Sequence, residues 1–306
     1  MTWSSSDLPD LTGRSIIVTG ANSGIGFEAA TALAASGAAV TLAVRDAGRG
    51  GAAAERIRAS GARAEVEVAR LDLADLGSVR EFAAAWTSAH PEGLDILINN
   101  AGVMAIPRRV TADNFEMQLG TNHLGHFALT GLLVGSIRPG GRVVTVSSNA
   151  HRLGRMNFDD LQSEQSYQKW RAYGQSKLAN ILFALELHRR ATEAGVDLRS
   201  LAVHPGYAAT NLQSAGPEMS GSRVGAAVRS LITKVVAQSA EAGAWPTLMA
   251  ATGPEVPSGV YLGPTQWLRQ RGTPGFETPS EAARDVGSAR RLWDVSTKLT
   301  GVSYPW

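Results

Sequence analysis

Tyr173 and Lys177 stand four residues apart in a stretch with helical spacing, so both fall on one helix face, one turn apart. A free phenol has a pKa of about 10 and is a poor acid–base group at neutral pH. A cation held beside it stabilises the phenolate and lowers that value. Upstream, the apolar run Arg142 to Ser147 leads into a second hydroxyl, Ser148. A hydroxyl at the carboxyl edge of a strand donates to a substrate carbonyl and stabilises developing negative charge. Alternation puts Ser147 and Ser148 on opposite faces of the strand. Asn122 lies inside a helical stretch, where asparagine is a poor helix former, and a surface polar residue is its plain alternative.

A second chemistry sits near the amino terminus. The run Ile16 to Thr19 enters Gly20-Ala21-Asn22-Ser23-Gly24-Ile25-Gly26, and a helix follows. Glycines permit the tight turn and a close backbone approach, and the helix start supplies free N–H donors and a positive dipole end. Between the first strand and first helix of a βαβ series, that turn is a dinucleotide site. A catalytic Tyr173 near pH 7 then needs roughly 4 kcal/mol from neighbouring positive charge such as Lys177.

The elements that position these groups alternate in texture. Short apolar runs at 14–19, 38–44, 64–70, 94–99, 142–147, 196–203 and 259–263 read as strands. Helical patterns fill 25–36, 49–60, 76–89, 115–135, 167–193, 225–252 and 280–299. Strands alternating with helices give βαβ units and a parallel sheet. Near-continuous apolar strands are covered on both faces. The expectation is an α/β chain: one Rossmann-type domain over 1–306, a doubly wound parallel sheet with helices on both faces. Residues 205–223 and 252–279 are rich in Gly, Pro and Ser and read as loops. A substrate lid is expected over 205–235 and a C-terminal extension over 265–306.

The motif order resembles the short-chain dehydrogenase/reductase family over roughly residues 11 to 265. The motifs that carry it are Thr19-Gly20-x-x-x-Gly24-Ile25-Gly26, then Asn99-Asn100-Ala101-Gly102, Ser148, Tyr173-x-x-x-Lys177 and Pro205-Gly206. NHLGHFALT, YGQSKLANILFALEL and VHPGYAATNL are similar to its retinol-dehydrogenase-like branch. The resemblance implies Asn122, Ser148, Tyr173 and Lys177 as the catalytic set, with Asn122 holding a kink and a water that relays protons to Lys177. It places the dinucleotide against Gly20, Asn22, Ser23, Gly24, Ile25 and Gly26, against Asp72 and Leu73, and against Asn99, Ala101 and Gly102. Tyr173, Lys177, Pro205, Gly206 and Thr210 complete that set. At the end of the second strand Val44 stands where an acid would bind the ribose, and Arg45 offers a guanidinium to a 2′-phosphate. NADP is therefore expected over NAD. Asp46 reads as facing away or capping the next helix, and Asp75 as a cap.

The expected activity is interconversion of a hydrophobic ketone or aldehyde with its alcohol by hydride transfer, with Tyr173 as acid and base. A non-catalytic NADP-binding regulator on the same fold is the alternative, and the complete Asn-Ser-Tyr-Lys set argues against it. The 25 residues from Ser148 to Tyr173 exceed the spacing of many members. The excess, 149–172, reads as an excursion beside the site mouth. It shapes the pocket or blocks a partner subunit, so monomer and homo-oligomer both stay open.

Composition narrows the classes further. The 306 residues are 44% hydrophobic and carry a net charge of +2, which excludes a disordered chain. Basic runs never exceed two residues, so nucleic acid is not an expected partner. Cys is absent, which excludes disulfides and thiolate sites. His123, His126, His151 and His204 form no recognisable zinc signature, so no metal is expected. No apolar stretch approaches membrane-span length, the first residues lack a secretory pattern, and a cytoplasmic location is the reading.

Overall fold

A computed structural model describes residues 3–206, 239–267 and 269–306. The β-branched runs form one eight-stranded sheet. Its strands are β1 (Ser15–Thr19), β2 (Ala39–Val44), β3 (Val66–Arg70), β4 (Leu94–Asn99), β5 (Ile137–Val146), β6 (Leu198–Val203), β7 (Tyr261–Gln266) and β8 (Arg271–Glu277). Their order is β3-β2-β1-β4-β5-β6-β7-β8. Pairing is parallel throughout except for β7 with β8.

Every residue of β1 and of β4 is buried, because helices cover both faces. One face packs on α1 (Gly24–Ala35), α2 (Ala47–Ala59) and α7 (Ala240–Thr252) through Leu33, Ile57 and Leu248. The other packs on α3 (Leu76–Ala89), α5 (Gly125–Leu133) and α6 (Lys169–Glu193), and on the C-terminal helices α8 (Glu281–Arg284) and α9 (Val286–Thr300). Phe127 is fully buried there, 5.6 Å from Phe183, 5.1 Å from Trp293 and 5.2 Å from Tyr304 between ring centres. Burying one such ring contributes about 1.5–3 kcal/mol. The strand order reverses between β1 and β4, which opens a crevice at their carboxyl ends.

Three expectations change. The helix expected over 115–135 is α4 (Met117–Leu119), a π-turn over Gly120–Leu124 and then α5. The final helix is interrupted at Asp285, whose carboxylate accepts from the Ser288 N–H and starts α9. The loop expected over 252–279 holds β8, an antiparallel edge strand; Pro274 fits at such an edge, where a missing N–H faces no neighbour. The sheet is therefore parallel with one antiparallel edge. Most of the expected lid lies outside the described residues.

Candidate active site

A cavity of about 620 Å³ opens over the carboxyl ends of β1, β2, β4, β5 and β6. Its floor is the glycine turn. Gly20 and Gly24 have φ of +68° and +59°, in the left-handed region that glycine enters freely. A Cβ on Gly26 would meet the Gly20 carbonyl oxygen at 2.8 Å and collide with the Asn100 amide. Ser23 precedes α1 without making a side-chain cap bond, so the first-turn N–H groups remain for an anion. This narrow, uncapped cradle fits a dinucleotide pyrophosphate.

Thr19 ties the turn to the next strand. Its hydroxyl oxygen accepts from the Asn100 and Ala101 N–H groups at 2.9 and 3.0 Å. Asn100 returns a bond to the Thr19 carbonyl at 2.8 Å. Asp72, Leu73, Ala101, Gly102, Pro205 and Gly206 all line the cavity, as expected from the motifs. Asn99 is the exception. It ends β4 fully buried and donates to Thr130 at 3.0 Å, so Asn100 occupies the wall instead. Parity decides this, since neighbouring residues leave a strand on opposite sides. Thr210, and with it 207–235 of the expected lid, lies outside the described residues.

At the β2 end Val44 is buried and Arg45 lines the cavity. Asp46 is turned to α2, where its carboxylate accepts from the Arg49 N–H at 3.0 Å. Asp75 caps α3 as expected. Asp72 keeps its place in the cavity wall while accepting from the Ala74 N–H at 3.0 Å.

Helix α6 carries Tyr173 and Lys177 into the cavity, both nearly fully buried. Ser148 faces Tyr173 across a hydrogen bond that favours the phenolate, yet burial dominates and pushes the phenol up to about 12. Burial likewise pushes the Lys177 ammonium down to about 8. The lysine Nζ lies 5.9 Å from the Tyr173 ring centre and donates to the Val146 carbonyl at 3.1 Å. The expected fall in the phenol's pKa is thus not a property of this pair alone. The Ser147 hydroxyl instead donates to the Lys177 carbonyl at 2.7 Å, which pins α6 to the end of β5. That contact separates the two serines by role.

Asn122 sits in the π-turn, fully buried rather than on the surface. Its amide pairs with both backbone groups of Val103, accepting at 2.8 Å and donating at 2.9 Å, and also donates to Ser176 at 2.9 Å. A Cβ on Gly102 would meet the Asn122 Oδ1 at 2.9 Å and the Lys177 Nζ at 3.5 Å, so these two groups converge there. The Asn122 carbonyl accepts from His126 Nδ1 at 3.0 Å, and His126 Nε2 meets the Thr19 hydroxyl at 2.9 Å. The carbonyl only accepts, so the proton is on Nδ1.

Trp170, Met104 and Gln270 also wall the cavity. Trp170 belongs to the 149–172 excursion and meets Tyr173 edge-on at 6.2 Å between ring centres. Met104 and Gln270 carried no readable signal, because one follows the Asn-Ala-Gly turn and the other tips the unexpected hairpin. Trp267 is half-exposed under the Arg271 guanidinium at 4.3 Å and lies outside the cavity lining.

A glycine cradle at a sheet's switch point, joined to a buried Tyr–Lys pair with Ser148 beside it, defines a nucleotide-dependent oxidoreductase site. The chain belongs to the short-chain dehydrogenase family, whose pattern matches residues 14–220. Within it the chain is retinol-dehydrogenase-like. It is 41% identical to human retinol dehydrogenase 13 over 300 residues, covering 96% of this chain and 87% of that one. It is 42% identical to mouse retinol dehydrogenase 11 over 304 residues, covering 97% and 89%. A crystal structure of an uncharacterized protein from Mycobacterium paratuberculosis superposes with a TM-score of 0.83 at 44% identity, covering 100% of both chains. A Burkholderia cenocepacia short chain dehydrogenase in complex with NADP superposes at 0.61 with 25% identity, covering 79% of this chain and 92% of that one. The family binds NAD or NADP. Among the described residues no helix is long and apolar enough to cross a membrane.

Proposed function

We propose that this protein is an NADP(H)-dependent oxidoreductase that interconverts a hydrophobic ketone or aldehyde and its alcohol, with Tyr173 as acid and base. The observation that carries this reading is the convergence of Ser148, Tyr173 and Lys177 on the cavity whose floor is the glycine turn. A bound nicotinamide dinucleotide supplies or accepts the hydride. Ser148 donates to the substrate oxygen and holds it against Tyr173. In reduction Tyr173 gives its proton to that oxygen; a phenol near 12 is fully protonated at neutral pH and ready to do so. In oxidation Tyr173 takes the alcohol proton. Lys177 and the cofactor ring supply the positive field that this phenolate needs. Asn122 holds the π-turn against Val103, and a water held there would relay protons to Lys177.

Arg45 in the cavity wall, with Asp46 committed to its helix and no acid at Val44, supports a 2′-phosphate over free ribose hydroxyls. Met104 and Trp170 add apolar surface to the cavity lining, and relatives named for retinol, an apolar alcohol, support the same substrate class. The test is a panel of aldehydes, ketones and alcohols of graded hydrophobicity, followed by nicotinamide absorbance with each cofactor. Turnover should rise with apolar size and favour NADPH; no turnover with any carbonyl or alcohol would reject the reading.

A further inference from the structure

His151 lies outside the catalytic set, yet it touches the backbone of Ser148. It is fully buried on the short 3₁₀ turn Asn149–Leu153. Its Nδ1 is 2.7 Å from the Ser148 carbonyl oxygen. A carbonyl only accepts, so Nδ1 carries the proton and Nε2 is bare. The other side of the ring agrees, because Nε2 accepts from the Ser280 N–H at 3.2 Å. Burial holds the ring neutral, with its pKa near 4. The Tyr261 hydroxyl lies 3.4 Å from Nδ1 and meets the ring edge-on.

The far end of this chain of bonds is itself anchored. Ser280 follows β8, whose last residue, Glu277, is nearly buried. Glu277 Oε1 accepts from His204 Nε2 at 3.0 Å, while His204 Nδ1 accepts from the Gly206 N–H at 3.2 Å. Arg152 and Arg269 each approach Glu277 Oε2 to 3.5 Å. The hairpin tip also docks beside Ser148, with Asn149 donating to the Arg269 carbonyl at 3.0 Å.

We propose that His151 is a positioning residue: through Ser148–His151–Ser280, the segment that follows β8 sets where the Ser148 hydroxyl meets the substrate oxygen. The inference rests on the assignment of Ser148 and Tyr173 under the proposed function. A hydroxyl that must lie within hydrogen-bond reach of a reacting oxygen is sensitive to its own peptide's orientation, and a displacement of about 1 Å costs on the order of 10²-fold in rate. His151 acts on that orientation without touching substrate or cofactor.

The test compares His151→Leu, His151→Asn, Ser280→Pro and Tyr173→Phe in the full chain, by steady-state kinetics and thermal melting. Leu removes both ring bonds. Asn returns a donor at the Nδ1 position. Proline deletes the Ser280 N–H together with a buried hydroxyl that makes no hydrogen bond, and the local φ of −58° already suits it. His151→Leu should lower kcat roughly 10- to 100-fold with the KM for NADPH within about twofold of wild type. His151→Asn should restore most of kcat, and Ser280→Pro should lower it several-fold. A folded His151→Leu with wild-type kcat overturns the proposal. So does a loss that Asn fails to repair, since that marks simple core packing. Should His151→Leu fail to fold, wild-type kcat in folded Ser280→Pro overturns it equally. Tyr173→Phe separates the two levels. If Tyr173→Phe is inactive while His151→Leu is fully active, only this inference falls; an active Tyr173→Phe removes the assignment beneath it.

Discussion

Tyr173 and Lys177 are both costly to charge where they lie. Burial raises the phenol to about 12 and lowers the ammonium to about 8, so function and stability pull apart at these two residues. Below about pH 8 the folded protein holds a charged, buried lysine against its preference. From there to the ordinary 10.5 the unfolded chain keeps its proton while the folded one does not, so the penalty fades as pH rises. Lys177→Met should therefore lose turnover yet gain roughly 1–3 kcal/mol of stability at neutral pH, with the gain shrinking towards pH 10.5. Urea melts at several pH values check this; a destabilised Met variant would contradict it. Arg45→Ala should weaken NADPH binding and leave NADH binding nearly unchanged. A charge-assisted bond contributes about 1.5–3 kcal/mol, so the preference falls roughly ten- to a hundredfold, and Val44→Asp added to it should move the ratio further. The ratio of kcat/KM for the two cofactors measures both. At this scale the sequence was a good guide to residue type and weaker on direction. Strand parity put Ser147 and Ser148 on opposite faces but only the family resemblance chose between them, and the same resemblance took Asn99 where the cavity wall holds Asn100.

Elements hold these residues in place by close backbone approach, and glycine is the means at α1. An alanine at Gly26 would press on the Asn100 amide and the Gly20 carbonyl. Gly26→Ala should cost about 1–3 kcal/mol of stability through overpacking and weaken dinucleotide binding at least about tenfold. Fluorescence titration with NADPH and a thermal melt test it; unchanged affinity would free the turn from its role. The long regular elements were legible because period decides them: apolar runs for the buried strands, 3.6-residue spacing for α3 and α6. Two features were not. The π-turn at Gly120–Leu124 depends on Asn122 bonding across to Val103, a contact 19 residues distant that no local pattern encodes. Strand β8 reads RGTPGFE, and two glycines and a proline outweigh its strand character until β7 supplies a partner.

Across the whole molecule, histidines carry much of the response to acid. His123, His126 and His151 are buried and neutral, with pKa values pushed down to about 3, 4 and 4 from 6.5. Between those values and 6.5 the unfolded chain binds protons that the folded one refuses, so stability falls as pH drops through that window. Each ring contributes about 3–5 kcal/mol across its full range. The upper half of the window lies above the ordinary carboxylate range, so a loss there belongs to histidine. Denaturant midpoints that stay flat from pH 7 to about 5 would contradict this.

The central claim is that Tyr173 moves the proton in a site that binds its cofactor independently of that proton. Tyr173→Phe keeps the ring, its contact with Trp170 and the helix, and removes only the hydroxyl. The measurement is the single-turnover rate of carbonyl reduction in this variant, alongside NADPH affinity by fluorescence titration. The account predicts a rate lowered on the order of 10²–10⁴-fold with NADPH affinity within about threefold of wild type. A variant that keeps more than about a tenth of the wild-type rate would contradict it, since general acid catalysis of that size cannot be lost so cheaply.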